Sequence, residues 1–287
     1  MQIKTTVLTI LIVVVITAGA VPSGSAQTNA ALDRAKVLRA AGDALGMIRY
    51  SDIGAGATRL PAIDIVNTME FVGSGTFYNG QTFKTDYHVA LGYNPPAMRV
   101  EMTLTGSGGG APQHVISTVR ENFAWNESEI GAGLVAGKGT ATPATAALRD
   151  RLLELWTLPY GVVKAALAAG EKTIVGTENG STVITFPLSG QLAGLTVKAT
   201  LDAKNFITKV QVKTDNAALA NLAFETEYSG YADHGEILTD IQSPGRIVIK
   251  QGGSTVQDIQ IKAWEANNPY VVFPVPGNVK TAAGNSR

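Results

Sequence analysis

Between residues 97 and 105 apolar and polar side chains alternate without interruption. Met98, Val100, Met102 and Leu104 fall on one face, and Arg99, Glu101 and Thr103 on the other. A period of two marks a strand with one wet and one buried face, so Ala97–Thr105 reads as a strand. Two further strands precede it, Asn67–Tyr78 and Thr82–Gly92, separated by Asn79-Gly80, a strong hairpin signal. The flexible stretch Gly106–Pro112 follows, and His114–Trp125 reads as the next strand. Short turns between consecutive strands predict an antiparallel meander.

A period near 3.6 replaces alternation in two places. Leu32, Ala35, Leu38, Ala41 and Leu45 recur at helical spacing, which predicts a helix over Asn29–Leu45 stopped by Gly46. A Gly-rich connector, Ser51–Leu60, comes next. In the middle of the chain Thr142 is placed to cap a helix opened by Pro143, with Leu148, Leu152, Leu155 and Trp156 on one face. Pro159 ends or kinks that helix, and Gly161–Ala169 continues as a second short one.

Alternation then resumes. Strands are expected at Lys172–Gly176, Thr182–Leu188, Leu195–Leu201, Ile207–Lys213, Ala223–Ser229, Arg246–Lys250 and Val256–Trp264. Turn signals stand between them at Asn179-Gly180, Asp202–Asn205 and Gly252-Gly253. The tail from Thr281 is small and polar and is expected to be disordered. About eleven strands with one wet face each must bury the other. Few helices are on hand to cover it. The expected fold is α+β, mainly β: one large curved antiparallel sheet, an open half-barrel, with an N-terminal helix and a central helix pair. Its apolar concavity suits an apolar ligand. Expected walls are Met98, Val100, Met102, Leu104 and Trp125, with Leu152 and Trp156 on the helix that forms the lid.

The first residues change the picture of where this happens. Lys4 precedes an apolar run, Val7–Ile16, and small residues with Pro22 follow up to Ala26. Charge, short apolar stretch and small-residue site form a secretory signal, here residues 1–26, with Ala20 as the alternative cleavage point. The run is too short to span a bilayer. The mature chain is expected to carry no transmembrane segment and to be periplasmic or secreted, with residues 27–280 as a single domain and 281–287 as the tail. The sequence has no cysteine and zero formal net charge. Acyl anchoring through cysteine, disulfides and thiolate metal sites are therefore out. Neutrality argues against nucleic acid as a partner.

Candidate chemistry is sparse. Gly131, Gly133 and Gly137 miss the dinucleotide spacing, and Gly137-Lys138-Gly139 lacks the hydroxyl residue of a phosphate loop. Asp86 and His88 share a strand face, with His114 nearby in the meander. A metal site needs three or four converging ligands, so a solvated polar face is the simpler reading. His234 sits in a turn. Ser74 in Gly73-Ser74-Gly75 does not have nucleophile-elbow spacing. Glu121, Glu127, Glu129 and Glu154 are carboxylates near aromatics, and a carboxylate pair is the enzymatic alternative. The aromatic residues Trp264, Phe71, Phe77, Phe123, Tyr160 and Phe186 read as core or cavity wall. No catalytic residue, metal or cofactor is assigned.

Four segments carry a resemblance. They are Pro96-Ala97-Met98-Arg99-Val100-Glu101, Glu121-Asn122-Phe123-Ala124-Trp125-Asn126, Leu158-Pro159-Tyr160-Gly161-Val162-Val163-Lys164-Ala165-Ala166, and Arg246-Ile247-Val248-Ile249-Lys250-Gln251-Gly252-Gly253. In this order they resemble the N-terminal β-rich region of exported metallo-β-lactamase-fold hydrolases. That region is similar in architecture to the LolA-type periplasmic lipoprotein carriers. The similarity runs over roughly residues 30 to 275. The hydrolases' His-x-His-x-Asp-His metal signature is missing, so their activity does not carry over. The alternation, its apolar concavity and the export signal together predict a non-catalytic exported protein that binds a lipid or a lipoprotein acyl chain. The alternative is a detached accessory domain that docks on an exported metallohydrolase or another envelope protein.

Overall fold

Alternation dominates the chain, and a sheet dominates the fold. The computed structural model describes residues 32–51, 60–63, 66–106, 108–233 and 240–284. These belong to one compact unit, residues 31–287. Residues 1–31, which include the expected signal, and His234 lie outside the described residues, as does most of the connector after Ser51.

Helix α1, Arg34–Ala44, starts where the Asp33 carboxylate accepts from the amides of Ala35 and Lys36, a cap the periodicity does not reveal. Leu38, Ala41 and Leu45 are buried, whereas Leu32 and Ala35 of the expected stripe are exposed. Next come β1, Ile48–Ser51, and β2, Leu60–Ile63, paired with each other alone. The meander follows as β3, Thr68–Asn79; β4, Gln81–Tyr93; and β5, Pro96–Gly106.

The expected single strand His114–Trp125 is two: β6, Gln113–Arg120, and β7, Phe123–Glu127. Glu121 turns the chain between them at φ 51°. Thr142 and Pro143 do not open a helix but sit in β8, Ala141–Pro143. The pair of helices is α2, Leu148–Thr157, and α3, Pro159–Ala169. Pro159 takes the first position of α3, where its missing N–H costs nothing. The second helix therefore begins two residues earlier than the periodicity predicts.

The second half supplies β9, Ile174–Glu178; β10, Ser181–Pro187; β11, Thr196–Leu201; β12, Ile207–Lys213; and β13, Glu225–Ser229. A short pair, β14, Ala232–Asp233, and β15, Gln242–Ser243, stands apart. Then come β16, Arg246–Gln251, and β17, Ser254–Ala266. Asn179 and Gly180, both at positive φ, make the two-residue turn between β9 and β10. Residues 281–284 are not a disordered tail; they complete α4, Gly277–Gly284.

Thirteen strands form one antiparallel sheet in the order β8-β7-β6-β5-β4-β3-β17-β16-β13-β12-β11-β10-β9. The end strands β8 and β9 do not pair with each other, so the sheet is open. Its curl follows from the helix contacts. Helix α2 packs on β5, β6 and β7, and α3 packs on α2 and on β10. β5 and β10 are eight strand steps apart, or ~38 Å in a flat sheet. Two helices about 8–10 Å apart reach both only if the sheet wraps around them.

The register assigns the faces. Tyr87, Val89 and Leu91 pair with Met102, Val100 and Met98 on the inner face. A bulge between Ile261 and Ala263 returns Trp264 and Ala266 to that face. One core cluster runs from α1 across β3–β5 and both central helices to β10–β12. The outer face is covered at one end by the C-terminal segment. Phe273 seats on Ala90 and Ala97, and Val279 on Trp125 and Ala141.

Candidate functional site

Helices packed inside a curved sheet leave space wherever the curvatures do not match. Two cavities flank α2, and neighbouring residues of that helix line one each.

The first has a volume of about 470 Å³. Its apolar wall comes from Leu153 and Leu158 of the helix pair and from Phe77, Phe224, Ile249 and Val256 on the sheet side. Asp150, Leu153, Glu154 and Thr157 all face it; their spacing places them on one side of a helix. The Tyr87 hydroxyl donates to Glu154 Oε1 at 3.2 Å. Tyr228, across the cavity on β13, donates to the Thr157 carbonyl at 2.8 Å. That carbonyl is left without an intrahelical partner where α2 ends. The Thr157 hydroxyl itself donates back to Leu153 O at 2.8 Å.

Burial holds the Glu154 carboxyl above the usual carboxylate range, and Asp150 pushes the same way. The Tyr87 hydrogen bond and the Arg151 charge oppose the shift. Tyr87 is raised well above an ordinary phenol, first by burial and then by Glu154. Arg151 directs its guanidinium elsewhere, donating to Thr118 O at 2.8 Å and Trp125 O at 2.6 Å.

The second cavity, about 700 Å³, lies on the other side of α2. Leu152, Trp156, Ala165, Ala169, Leu188 and Leu192 form its apolar lining, and Lys172 and Glu121 stand among its polar residues. Trp156 packs on Tyr93 with ring centres 5.7 Å apart. Lys164 Nζ lies 5.0 Å from the centre of that tyrosine ring, and burial lowers its amine to about 8.

The residues expected to wall a single pocket are thus distributed. Leu152 and Trp156 line the larger cavity. Met98 and Val100 are buried in the main core beneath α2. Met102 packs at the edge of that core and receives a long contact, 3.8 Å, from the Gln257 amide of the smaller cavity. Leu104 is buried on the same strand face. Trp125 is on the opposite face, under Val279, because its register partner is the outward Thr118.

The remaining carboxylates also separate. Glu127 accepts from Trp125 Nε1 at 2.8 Å, Thr118 Oγ1 at 3.0 Å and the Gly131 amide at 2.6 Å. Outside the cavities, His88 lies between Glu70 at 2.7 Å and Glu101 at 3.6 Å, with His114 on Glu101 at 2.9 Å. Asp86 shares this outer-face hollow with His88.

Sequence reasoning marks Glu154 as a carboxylate near aromatics but misses Tyr87, Tyr228 and Phe224. A signal was present in α2. Asp150, Leu153, Glu154 and Thr157 form a second stripe at i, i+3, i+4 and i+7, beside the Leu148–Leu152–Leu155 stripe that predicts the helix.

Fold and site together define an open antiparallel half-sheet whose inner face is partly filled by helices and partly hollow. No family model matches the chain, and no curated protein matches it. Among solved structures it is similar to a domain from Vibrio parahaemolyticus assigned to outer membrane lipoprotein sorting. The identity is 9% and the TM-score 0.43, over 88% of this chain and 99% of that one.

Proposed function

We propose that this chain is an exported, non-catalytic binding protein that holds an apolar ligand, a lipid or a lipoprotein acyl chain, between α2 and the sheet. The observation that carries the reading is the 470 Å³ cavity with apolar walls from both the helix pair and the sheet. Ligand sites are commonly hollows of about 300–1,000 Å³, mostly apolar with a few placed polar groups. Ten buried methylenes would supply about 8 kcal/mol, set against an association cost of at least about 4 kcal/mol. The export reading rests on the charged, apolar and small-residue pattern of residues 1–26.

Native mass spectrometry of the purified protein should show co-purifying lipid or uptake of added long-chain amphiphile. Leu153→Trp, which fills the cavity from α2, should lower uptake at least tenfold while circular dichroism stays unchanged. A protein that is empty as purified and ignores added amphiphiles would remove the reading.

A second reading, a module that docks on an exported metallohydrolase or other envelope protein, draws on Tyr270 and Val272. They are 87% and 64% exposed beside Phe273, which anchors their segment. Its test is co-elution with such a partner and loss of co-elution in Tyr270→Ser.

A further inference from the structure

The smaller cavity differs from an ordinary greasy pocket in how its polar groups are spent. Three of its hydroxyls are used internally: Tyr87 on Glu154, Tyr228 on Thr157 O, Thr157 on Leu153 O. Thr226, Gln251 and Gln257 also line it, with the Gln257 amide turned to Met102 Sδ at 3.8 Å. The charged side chains that line it are Asp150 and Glu154, both acidic, and among the described residues no lysine, arginine or histidine lines it. Arg151, the neighbouring cation on α2, donates to carbonyls on the β6–β7 side instead. The charge that faces the hollow is therefore acidic, chiefly the Glu154 carboxyl, set among apolar walls and neutral polar groups.

A buried acceptor is stabilised by a donor and penalised by a second anion. We propose, building on the binding function above, that this cavity selects long-chain amphiphiles whose head group donates hydrogen bonds, amines and amides, and rejects those ending in a carboxylate or phosphate. Glu154 receives the head group, and the alkyl chain lies against Leu153, Leu158, Ile249 and Val256. The larger cavity, which has Lys172 in its lining, does not share this preference.

The test is a series with one C12 chain and four heads: dodecylamine, N-dodecylacetamide, dodecanoate and dodecyl phosphate. Each displaces Nile red from the full mature protein below its micellar concentration, at pH 7 and physiological salt. The amine and amide should bind at least tenfold more tightly than the two anions. Glu154→Gln should shrink the amine-to-dodecanoate ratio below threefold. Leu153→Trp should weaken the amine at least tenfold. Dodecanoate binding as tightly as dodecylamine overturns the selectivity and leaves the binding function standing. An amine preference that survives Glu154→Gln or Leu153→Trp does the same, because it would arise elsewhere. Failure of Nile red and all four amphiphiles to bind overturns both.

Discussion

Glu154 keeps an ionisable group among leucine, isoleucine and tyrosine side chains, and this has a thermodynamic sign. Its carboxyl is raised in the folded protein, chiefly by burial. Between the unfolded value, about 4.3, and the higher folded one, the native state therefore binds more protons than the unfolded state. Its contribution to stability is most favourable below that window and declines as pH rises through it. Each tenfold difference in proton affinity between the two states is worth about 1.4 kcal/mol. Glu154→Gln should flatten this part of the profile and raise stability at neutral pH, as read by urea unfolding between pH 4 and 7. A variant less stable at pH 7 with an unchanged profile would contradict the argument. At this scale the sequence was half legible. The apolar stripe of α2 marks the face shared by Leu152 and Trp156, and both sit on the larger cavity. Trp125, expected on the concave wall, falls on the opposite face: its side depends on where β6 stops, and that hinges on Glu121 adopting positive φ, which glutamate rarely does.

At the level of elements, alternation placed most strands within a few residues, since a half-buried strand must repeat every two positions. Breaks in that repeat were what stayed hidden. The bulge in β17 swaps faces between Ile261 and Ala263, and the three-residue β8 is too short to show a period. Gly73 and Gly75 in β3 carry no pattern of their own in the sequence, but their role is closeness. A Cβ at Gly75 would stand 1.9 Å from Asp258 O, and one at Gly73 would stand 2.4 Å from Gln260 O. β17 is pressed against β3 at these glycines, so Gly75→Ala should cost about 3 kcal/mol. A shift of the denaturation midpoint with unchanged slope would report it. A neutral Gly75→Ala would mean that the two backbones part easily.

For the molecule as a whole, the sheet's length is the governing fact. Both of its halves contribute to one core cluster through α2 and α3, so the described unit should unfold in a single transition. Far-ultraviolet dichroism and tryptophan fluorescence should give coincident curves, and separated midpoints would show the halves to be independent. The curl itself was inferable from the shortage of helices against many amphipathic strands. The hollows on either side of α2 were not, because they depend on how α2 and α3 meet, with the helical stretches 145–157 and 159–172 bent by 95°.

The open sheet leaves its two ends unequal. β8 is three residues long, contains Pro143 and has α4 packed against it, all of which blunt strand addition. β9 is the opposite terminus, and its Ile174 is 68% exposed. Among the described residues β9, on which α1 packs, is therefore the longer and less blunted edge for backbone pairing between molecules. Two copies joining antiparallel along β9 would exhaust each other's free hydrogen bonds, so association ends at a pair instead of growing into a ribbon. Light scattering across a concentration series should show monomer passing to dimer and no further, and Ile174→Lys should hold the monomer.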